Sequence, residues 1–305
     1  IAATSKFTAS DALMTAAQLA ALDSLTDSII TATLATGAAA SFSAMTDAEG
    51  NNVITVNING SGSVAATVLS AIGGKTTGTV TLTTIITITG VQSAITTALI
   101  GASSVAVGGG VAVVVTMSDG TNAALTALDL SNIGALTTGN VTVTNSTVIT
   151  GSTAQLNTAL LASSSSRVIA ATSKFTASDA LMTAAQQAAL DNLTNNVITA
   201  TLATGAIATF AAVTNDSSNN VITVNINGSG STAATLLSAI GGKTTGTVTQ
   251  TTAVTITGTT AEINAAMLAS SASRVIAANS ALTSSDTLMT AAQQAALDSL
   301  TTGVI

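Results

Sequence analysis

The chain of 305 residues contains no cysteine, histidine, tryptophan, tyrosine or proline, and its aromatic residues are four phenylalanines. The lack of cysteine excludes a disulfide framework and a thiolate metal site. The lack of both histidine and cysteine excludes the common catalytic triads and dyads. The sequence therefore predicts a protein that is not an enzyme.

Charged residues are also scarce, at 6% of the chain against about 25% in typical globular domains. The formal net charge is −7, and the six basic residues never form a run. Because phosphate binding needs clustered lysine and arginine, and base stacking needs aromatic side chains, we expect no nucleic-acid partner.

Long apolar runs are missing as well, although 47% of the residues are hydrophobic. Alanine, valine, isoleucine and leucine are mixed with threonine and serine throughout. No stretch reaches the roughly 18 uninterrupted apolar residues of a membrane helix. We therefore expect no membrane span.

The chain is rich in repeats. A short segment, seen as Gly-Ser-Thr-Ala-Gln-Leu-Asn-Thr-Ala-Leu-Leu at 151–161, recurs in variants that start at residues 14, 62, 90, 120, 151, 182, 230, 258 and 289. Most steps are close to 30 residues, and two steps are 48. A fixed period of this size indicates a stacked-repeat fold.

A longer repeat contains several copies of the short one. Residues 1–37 return as 169–205 with five differences, and a third copy begins at Ile276. The sequence thus predicts three large repeats, 1–168, 169–275 and 276–305, in one continuous solenoid. Because the chain starts and stops inside a repeat, we expect it to be a segment of a longer protein.

Each unit pairs a short helix with alternating Thr, Val and Ile, which is typical of strands. One such unit cannot cover its own apolar side chains, so neighbouring units must stack. The predicted fold is a β-rich repeat solenoid with short helices, either a parallel β-helix or an α/β solenoid with rungs of about 30 residues. Examples of the predicted elements are helices at 12–25, 63–72, 92–99 and 121–129, and strands at 29–34, 53–58, 79–89 and 139–150.

In the first helix, Ser10 or Asp11 is the predicted N-cap, and Met14, Ala17, Ala21 and Leu25 share one face. Position 19 is Leu there and Gln in the other two copies, which predicts exposure to water. Two aspartates recur in each copy. The first (Asp11, Asp179, Asp286) is interpreted as a cap or dipole partner and the second (Asp23, Asp191, Asp298) as facing solvent.

Calcium is the one cofactor that a motif suggests. Asp47, Glu49, Asn51 and Asn52 form an oxygen-rich turn, and its counterpart contains Asn215, Asp216, Asn219 and Asn220. Hard cations need six to eight oxygen ligands, and this spacing matches neither an EF-hand nor the glycine-rich β-roll repeat. The favoured interpretation is a solvated turn without a cofactor, with Asp47, Glu49 and Asp216 as the candidate ligands otherwise.

Two sequence patterns resemble those of a known protein family. Leu-Ser-Ala-Ile-Gly-Gly-Lys-Thr-Thr-Gly-Thr-Val at 69–80 and 237–248, and Thr-Gly-Thr-Thr-Ala-Glu-Ile-Asn-Ala-Ala at 257–266, resemble the β-strand repeats of very large bacterial cell-surface proteins. The resemblance implies an extracellular, non-enzymatic role in surface layers, filaments or adhesion, and it supplies no site residues.

The leading hypothesis is accordingly a structural repeat module of an extracellular surface protein that stacks and self-assembles into a rod, filament or surface layer. The alternative is an adhesin that recognises glycans or a partner protein on its exposed face. Aromatic residues usually supply the surfaces on which sugars stack, and their scarcity disfavours the glycan-binding form of that alternative.

Overall fold

The computed structural model describes residues 4–11, 13–101, 105–161, 168–216, 219–268 and 275–305. The fold is α/β, with several parallel sheets and short helices. It divides into two compact units, one formed by 1–147 with 158–170 and the other by 148–157 with 171–305.

The α-helices of the described residues are eight or nine residues long, and two 3-10 helices occupy residues Ala39–Phe42 and Ile207–Phe210. The α-helices are α1 Ala16–Asp23, α2 Ala66–Gly73, α3 Gln92–Leu99, α4 Ala127–Ala135, α5 Thr153–Leu160, α6 Ala184–Asp191, α7 Ala234–Gly241, α8 Thr260–Met267 and α9 Ala291–Asp298.

The strands are short, with two to six residues each. In the first unit they are β1 Phe7–Thr8, β2 Ile30–Thr33, β3 Val53–Ile58, β4 Ser63–Ala65, β5 Val80–Leu82, β6 Thr87–Gly90, β7 Ala106–Val107, β8 Val114–Met117, β9 Ala124–Thr126, β10 Val141–Val143 and β12 Val168–Ile169. In the second unit they are β11 Val148–Gly151, β13 Lys174–Ala177, β14 Ile198–Thr201, β15 Val221–Ile226, β16 Ser231–Ala233, β17 Val248–Gln250, β18 Thr255–Gly258, β19 Val275–Ile276 and β20 Ala281–Ser284.

Parallel pairing between successive passes of the chain builds the sheets of each unit. The first unit contains the strand orders β1-β2-β3-β5-β7 and β4-β6-β8-β10-β12. The second unit contains β11-β13-β14-β15-β17-β19 and β16-β18-β20. Parallel neighbours require a crossover connection, and the short helices supply many of these connections.

One pass of the chain is shorter than the predicted 30 residues. Paired residues lie 22 positions apart at Thr31 and Val53, and 27 apart at Val141 and Val168. The step of 48 contains two passes, and the second of them has no α-helix: it carries the 3-10 helix Ala39–Phe42 instead. We call one such pass a turn of the chain.

The repeat length in the sequence differs from the length of one structural turn because similar motifs occur at two structural positions, either at the start of a strand or at the end of one. The motif that follows Gly62 starts as strand β4 and becomes helical only at Ala66, so the predicted helix 63–72 is wrong at its start. Gly90, in contrast, ends strand β6, and the predicted helix 92–99 is confirmed as α3. The same two positions explain why the predicted helix 121–129 is a strand, β9, followed by α4 at 127–135.

The long predicted strands are divided. Residues 79–89 form β5 and β6, and residues 139–150 form β10 and most of β11. The predicted strand 53–58 is confirmed as β3. In each divided case, Thr side chains between the two strands bond to the neighbouring turn: Thr83 Oγ1 donates to the carbonyl oxygen of Ile58 at 3.0 Å, and Thr144 Oγ1 donates to that of Met117 at 2.7 Å.

The first helix starts later than predicted. Its N-cap is Thr15, which accepts from the N–H of Gln18 at 3.2 Å while its own N–H donates to Gln18 Oε1 at 2.8 Å. This reciprocal capping box satisfies two backbone donors at once, so it defines the helix start in place of Ser10 or Asp11. Thr183 with Gln186 and Thr290 with Gln293 repeat it.

The buried face of α1 is also different from the predicted one. Ala17, Ala21 and Leu25 are exposed, whereas Ala16, Leu19 and Asp23 are buried. The core of each unit combines such helix residues with alternate strand residues, for example Ile54, Val56 and Ile58 of β3. None of the helices in the described ranges is both long enough and apolar enough to cross a membrane.

Candidate functional site

The candidate calcium ligands either accept hydrogen bonds from the backbone of their own turn or are exposed at the surface. Asp47 Oδ1 accepts from the backbone N–H groups of Asn51 at 3.0 Å and Asn52 at 3.1 Å, and Glu49 is exposed. Asp216 lies in the other unit with an exposed side chain. The candidate ligands are thus divided between two equivalent turns, one in each unit. Among the described residues, no group of three or more acidic side chains is placed to hold a metal ion.

The same turn instead supplies a buried polar contact. Asn52 is fully buried and donates from Nδ2 to Asp23 Oδ1 at 2.7 Å, while its Oδ1 accepts from the N–H of Ile30 at 2.8 Å. Asp23 Oδ2 accepts in addition from the N–H of Ala48 at 3.3 Å. We call this arrangement the Asp–Asn bridge. It joins the end of a helix to the next turn of the chain.

The second unit contains the same bridge. Asn220 Nδ2 donates to Asp191 Oδ1 at 2.7 Å, and Asn220 Oδ1 accepts from the N–H of Ile198 at 2.8 Å. Asp191 Oδ2 accepts from the N–H of Asp216 at 3.0 Å. The residue equivalent to Asp216 in the first unit is Ala48, so the Asp216 side chain is not needed for this contact.

These bridges correct two predictions. Asp23 and Asp191 were expected to face solvent, but they are 6% and 1% exposed. A buried carboxylate is tolerated only when its oxygens are hydrogen-bonded, and here an asparagine and a backbone N–H provide those bonds. Position 19 was expected to face water, but Leu19 and Gln187 are both fully buried.

Gln187 forms a second contact between turns. Its Oε1 accepts from the N–H of Thr214 at 2.9 Å, and its Nε2 donates to the carbonyl oxygen of Thr214 at 3.1 Å. Gln92 binds the backbone of Thr126 in the same two-point manner, at 3.2 and 3.1 Å. An amide side chain that pairs with both groups of one residue recognises the backbone and is indifferent to that residue's side chain.

The first aspartate of each copy was predicted to be a cap, and two of the three cap a helix other than their own. Asp179 accepts from the N–H of Thr153 at 3.1 Å, and Asp286 accepts from the N–H of Thr260 at 2.8 Å. Asp119 likewise accepts from the N–H of Gln92 at 2.9 Å. These carboxylates come from the following turn and occupy the positive ends of α5, α8 and α3. Asp11 is exposed.

The cap on α8 predicts a pH dependence. Hydrogen bonds from the Thr260 side chain and then from its N–H lower the pKa of Asp286. A carboxyl with a lowered folded-state pKa stabilises the fold above its unfolded pKa, and that contribution is lost as the pH falls through the folded value. Unfolding followed from about pH 5 to about pH 2 should show a shallower fall in stability for Asp286→Asn than for the unaltered chain. Thr260→Val should give an intermediate slope, and parallel curves for all three proteins would contradict the assignment.

A threonine just after each of several helices fastens that turn to the one before it. Thr244 Oγ1 accepts from the N–H of Ile222 at 2.7 Å and from the N–H of Gly246 at 2.8 Å, and it lies within 3.1 Å of the carbonyl oxygens of Asn220 and Ile222. The residues in this role are Thr26, Thr76, Thr137, Thr194, Thr244 and Thr301. The sequence analysis did not predict this role for the threonines, although a Leu-Thr or Lys-Thr pair recurs directly after the helices.

The glycine two positions later marks a close approach of the two turns. A Cβ on Gly246 would lie 2.5 Å from the carbonyl oxygen of Ile222, and a Cβ on Gly139 would lie closer still to that of Val113. Gly78 and Gly303 are in the same situation. After α1 and α6, the position equivalent to this glycine is occupied by Ser28 and Asn196. The glycines let the backbones of successive turns touch.

An apolar groove lies beside the second 3-10 helix. It has a volume of about 400 Å³ and is lined by Ile207, Ala208, Leu236, Ile240 and Lys243, among others. The Lys243 Nζ donates to the carbonyl oxygen of Ala211 at 3.0 Å, and Lys75 makes the equivalent bond to Ser43 at 3.1 Å. The lysines thus bind the backbone of the preceding turn.

Comparisons with protein families, with curated proteins and with solved structures find no match for this chain. The site therefore has to be interpreted from its own chemistry. Its polar side chains are directed at the backbone of the neighbouring turn, and the arrangement serves to attach one turn to the next.

Proposed function

We propose that the chain is a non-enzymatic structural repeat module of an extracellular surface protein. In this proposal the turns form a continuous solenoid, and the module acts as a rigid rod, filament or surface-layer component. The observation that supports it best is the set of buried side chains whose partners belong to an adjacent turn, either the one before or the one after: Asn52, Gln92, Gln187, Asn220 and Thr244.

The energetics of a single turn favour the same function. An isolated helix of eight residues is marginal in water, and a strand of three residues has no partner within its own turn. Buried polar groups cost free energy unless they are hydrogen-bonded, and here the bonding groups come from adjacent turns. Stability therefore grows by adding neighbours, which is the property that a long structural array requires.

Electron microscopy of the purified chain tests the proposal. We expect elongated particles or fibres, because an array of stacked turns exposes strand edges that can pair with further copies. Dispersed compact globules at every protein concentration tested would contradict a scaffold role. A dilution series distinguishes self-assembly from aggregates that do not dissociate.

The adhesin alternative is supported by one observation, the apolar groove at Leu236 and Ile207. An apolar groove fits a protein side chain better than a sugar, because the described lining offers no aromatic surface. A glycan array should accordingly show no binding. Saturable binding to a defined glycan would favour the adhesin over the scaffold.

A further inference from the structure

Asparagine is followed directly by glycine at two positions of the chain, Asn59-Gly60 and Asn227-Gly228. The two pairs are equivalent, since each comes immediately after a six-residue strand, β3 or β15. Asn227 is exposed and Asn59 is half-buried. Because glycine has no side chain, its nitrogen can approach the carboxamide of the preceding asparagine with little hindrance. Each pair is therefore a place where the main chain can attack its own side chain.

This attack is a deamidation in which water is the only co-reactant. The Gly228 nitrogen gives up its proton to the solvent and bonds to Cγ of Asn227. The bond from Cγ to Nδ2 breaks, and ammonia leaves with a proton returned by the solvent. Water then opens the succinimide ring at either carbonyl carbon, which gives aspartate or isoaspartate. The net change is the loss of ammonia and the gain of water, and nothing is oxidised or reduced.

The next turn of the chain holds both glycines in an unreactive position. The Gly228 N–H donates to Thr252 Oγ1 at 2.9 Å, and Thr252 Oγ1 donates to the carbonyl oxygen of Gly228 at 2.6 Å. Thr84 Oγ1 bonds to the N–H and the carbonyl oxygen of Gly60 in the same way, both at 2.8 Å. The glycine nitrogen can lose its proton and turn toward Cγ only after the bonds to the threonine open.

The backbone on either side of Asn227 is fixed as well. The N–H of Asn227 donates to the carbonyl oxygen of Gly205 in the preceding turn at 2.8 Å. The carbonyl oxygen of Ile226 accepts from the N–H of Thr251 in the next turn, also at 2.8 Å. Asn59 makes the equivalent contacts in the first unit. Each asparagine is thus held between two turns, and rotation of its backbone requires these turns to separate locally.

We propose that Asn59 and Asn227 are deamidation sites whose reactivity is controlled by the hydroxyl groups of Thr84 and Thr252. While the turns are stacked, the hydroxyl group holds the glycine nitrogen and the asparagine persists. Where the next turn separates, the nitrogen is released and the asparagine is converted, so the site records local opening of the stack in covalent form. The inference goes beyond the proposed function, because it needs only the contacts between turns of one chain.

The rate of deamidation in the full 305-residue chain, incubated in mildly alkaline buffer, tests this control. Trypsin places Asn59 and Asn227 on separate peptides, and mass spectrometry with fragmentation then measures the rate at each asparagine. We expect each site to react at least about tenfold more slowly than in synthetic peptides of residues 55–64 and 223–232, because modification follows the small population of the opened form. Equal rates in the chain and in the peptides would overturn the proposal.

A crossed pair of variants separates local control from general loosening of the fold. Thr252→Val removes the hydroxyl group at one site and should accelerate deamidation of Asn227 about tenfold, since two hydrogen bonds that oppose opening are lost. Asn59 in the same molecule should keep its rate. Thr84→Val should have the reverse effect. Acceleration of both sites by either variant, or of neither site, would contradict control by the individual hydroxyl groups.

Thr252→Ser is the conservative variant, since it keeps the hydroxyl group. The buried Gln250 donates from Nε2 to Thr252 Oγ1 at 3.1 Å, so this oxygen is also held by a residue of its own turn. Asn227 should therefore react as slowly in Thr252→Ser as in the unaltered chain. If it reacted as fast as in Thr252→Val, the methyl group and not the hydroxyl group would protect the site, and the assignment would be rejected.

Discussion

Replacing Asn220 by alanine should lower the free energy of unfolding of the second unit by about 2–5 kcal/mol, because a buried polar group left without its partner costs about 1–3 kcal/mol and a charged one costs more. The change deletes the Nδ2 donor to Asp191 and the Oδ1 acceptor for the N–H of Ile198. Both remaining groups would stay buried without these bonds. The loss is measured by urea unfolding followed by circular dichroism.

The neighbouring residue supplies the control. Asn219 is the same residue type one position earlier, and it is exposed. Asn219→Ala should change the free energy of unfolding by no more than about 0.5 kcal/mol. If the two variants were equally stable, the Asp–Asn bridge would have no role in holding the turns together.

Gly246→Ala should destabilise the same unit by about 1–3 kcal/mol, the usual range for forcing an extra methyl group into a packed site. The added Cβ would meet the carbonyl oxygen, the carbonyl carbon and the nitrogen of Ile222 at 2.5, 2.7 and 2.9 Å. These atoms belong to the backbone of the preceding turn, so a side-chain rotation cannot relieve the overlap.

Gly228→Ala is the matched substitution. A Cβ at Gly228 has no neighbouring atom within 4 Å. Its effect on stability should stay within about 1 kcal/mol and can be favourable, because alanine reduces the freedom of the unfolded chain. Thermal unfolding of both variants, side by side, gives the comparison. A Gly246→Ala variant as stable as the parent would mean that the two turns are not in close backbone contact.

Local pattern predicted some elements to the residue and misplaced others. The alternating residues of Val53–Ile58 indicate a strand, and the residue spacing in 92–99 indicates a helix, without reference to other parts of the chain. Both elements are found as predicted. The segment after Gly62 resembles the one after Gly90, yet it starts as a strand because Ser63 pairs with Thr87 of the next turn. That partner is 24 positions away, and no local pattern reveals it.

The buried face of α1 was misassigned for a related reason. Helical spacing groups Ala17 with Ala21 as readily as Ala16 with Asp23, and hydrophobicity favours the first pair. The second pair is buried because Asn52, 29 positions after Asp23, carries a donor that the carboxylate binds. A sequence contains the two polar residues but does not say that they meet.

The asparagine-rich turn shows the same limit for function. Oxygen-rich turns that bind calcium and turns that satisfy their own backbone have similar composition, since both use Asp and Asn. Here Asp47 Oδ1 accepts from two backbone N–H groups, and Asn52 is turned into the protein. Only the direction of the side chains separates the two cases.

Hydrogen exchange of the Asn220→Ala variant is the most direct test of the claim that each turn is stabilised by its neighbours. We expect faster exchange not only at residues 213–216 and 219–220 but also in α6 and β14, which belong to the turn before them. If faster exchange were confined to those residues while α6 and β14 kept the protection of the parent, the turns would be independently stable and the account would be contradicted.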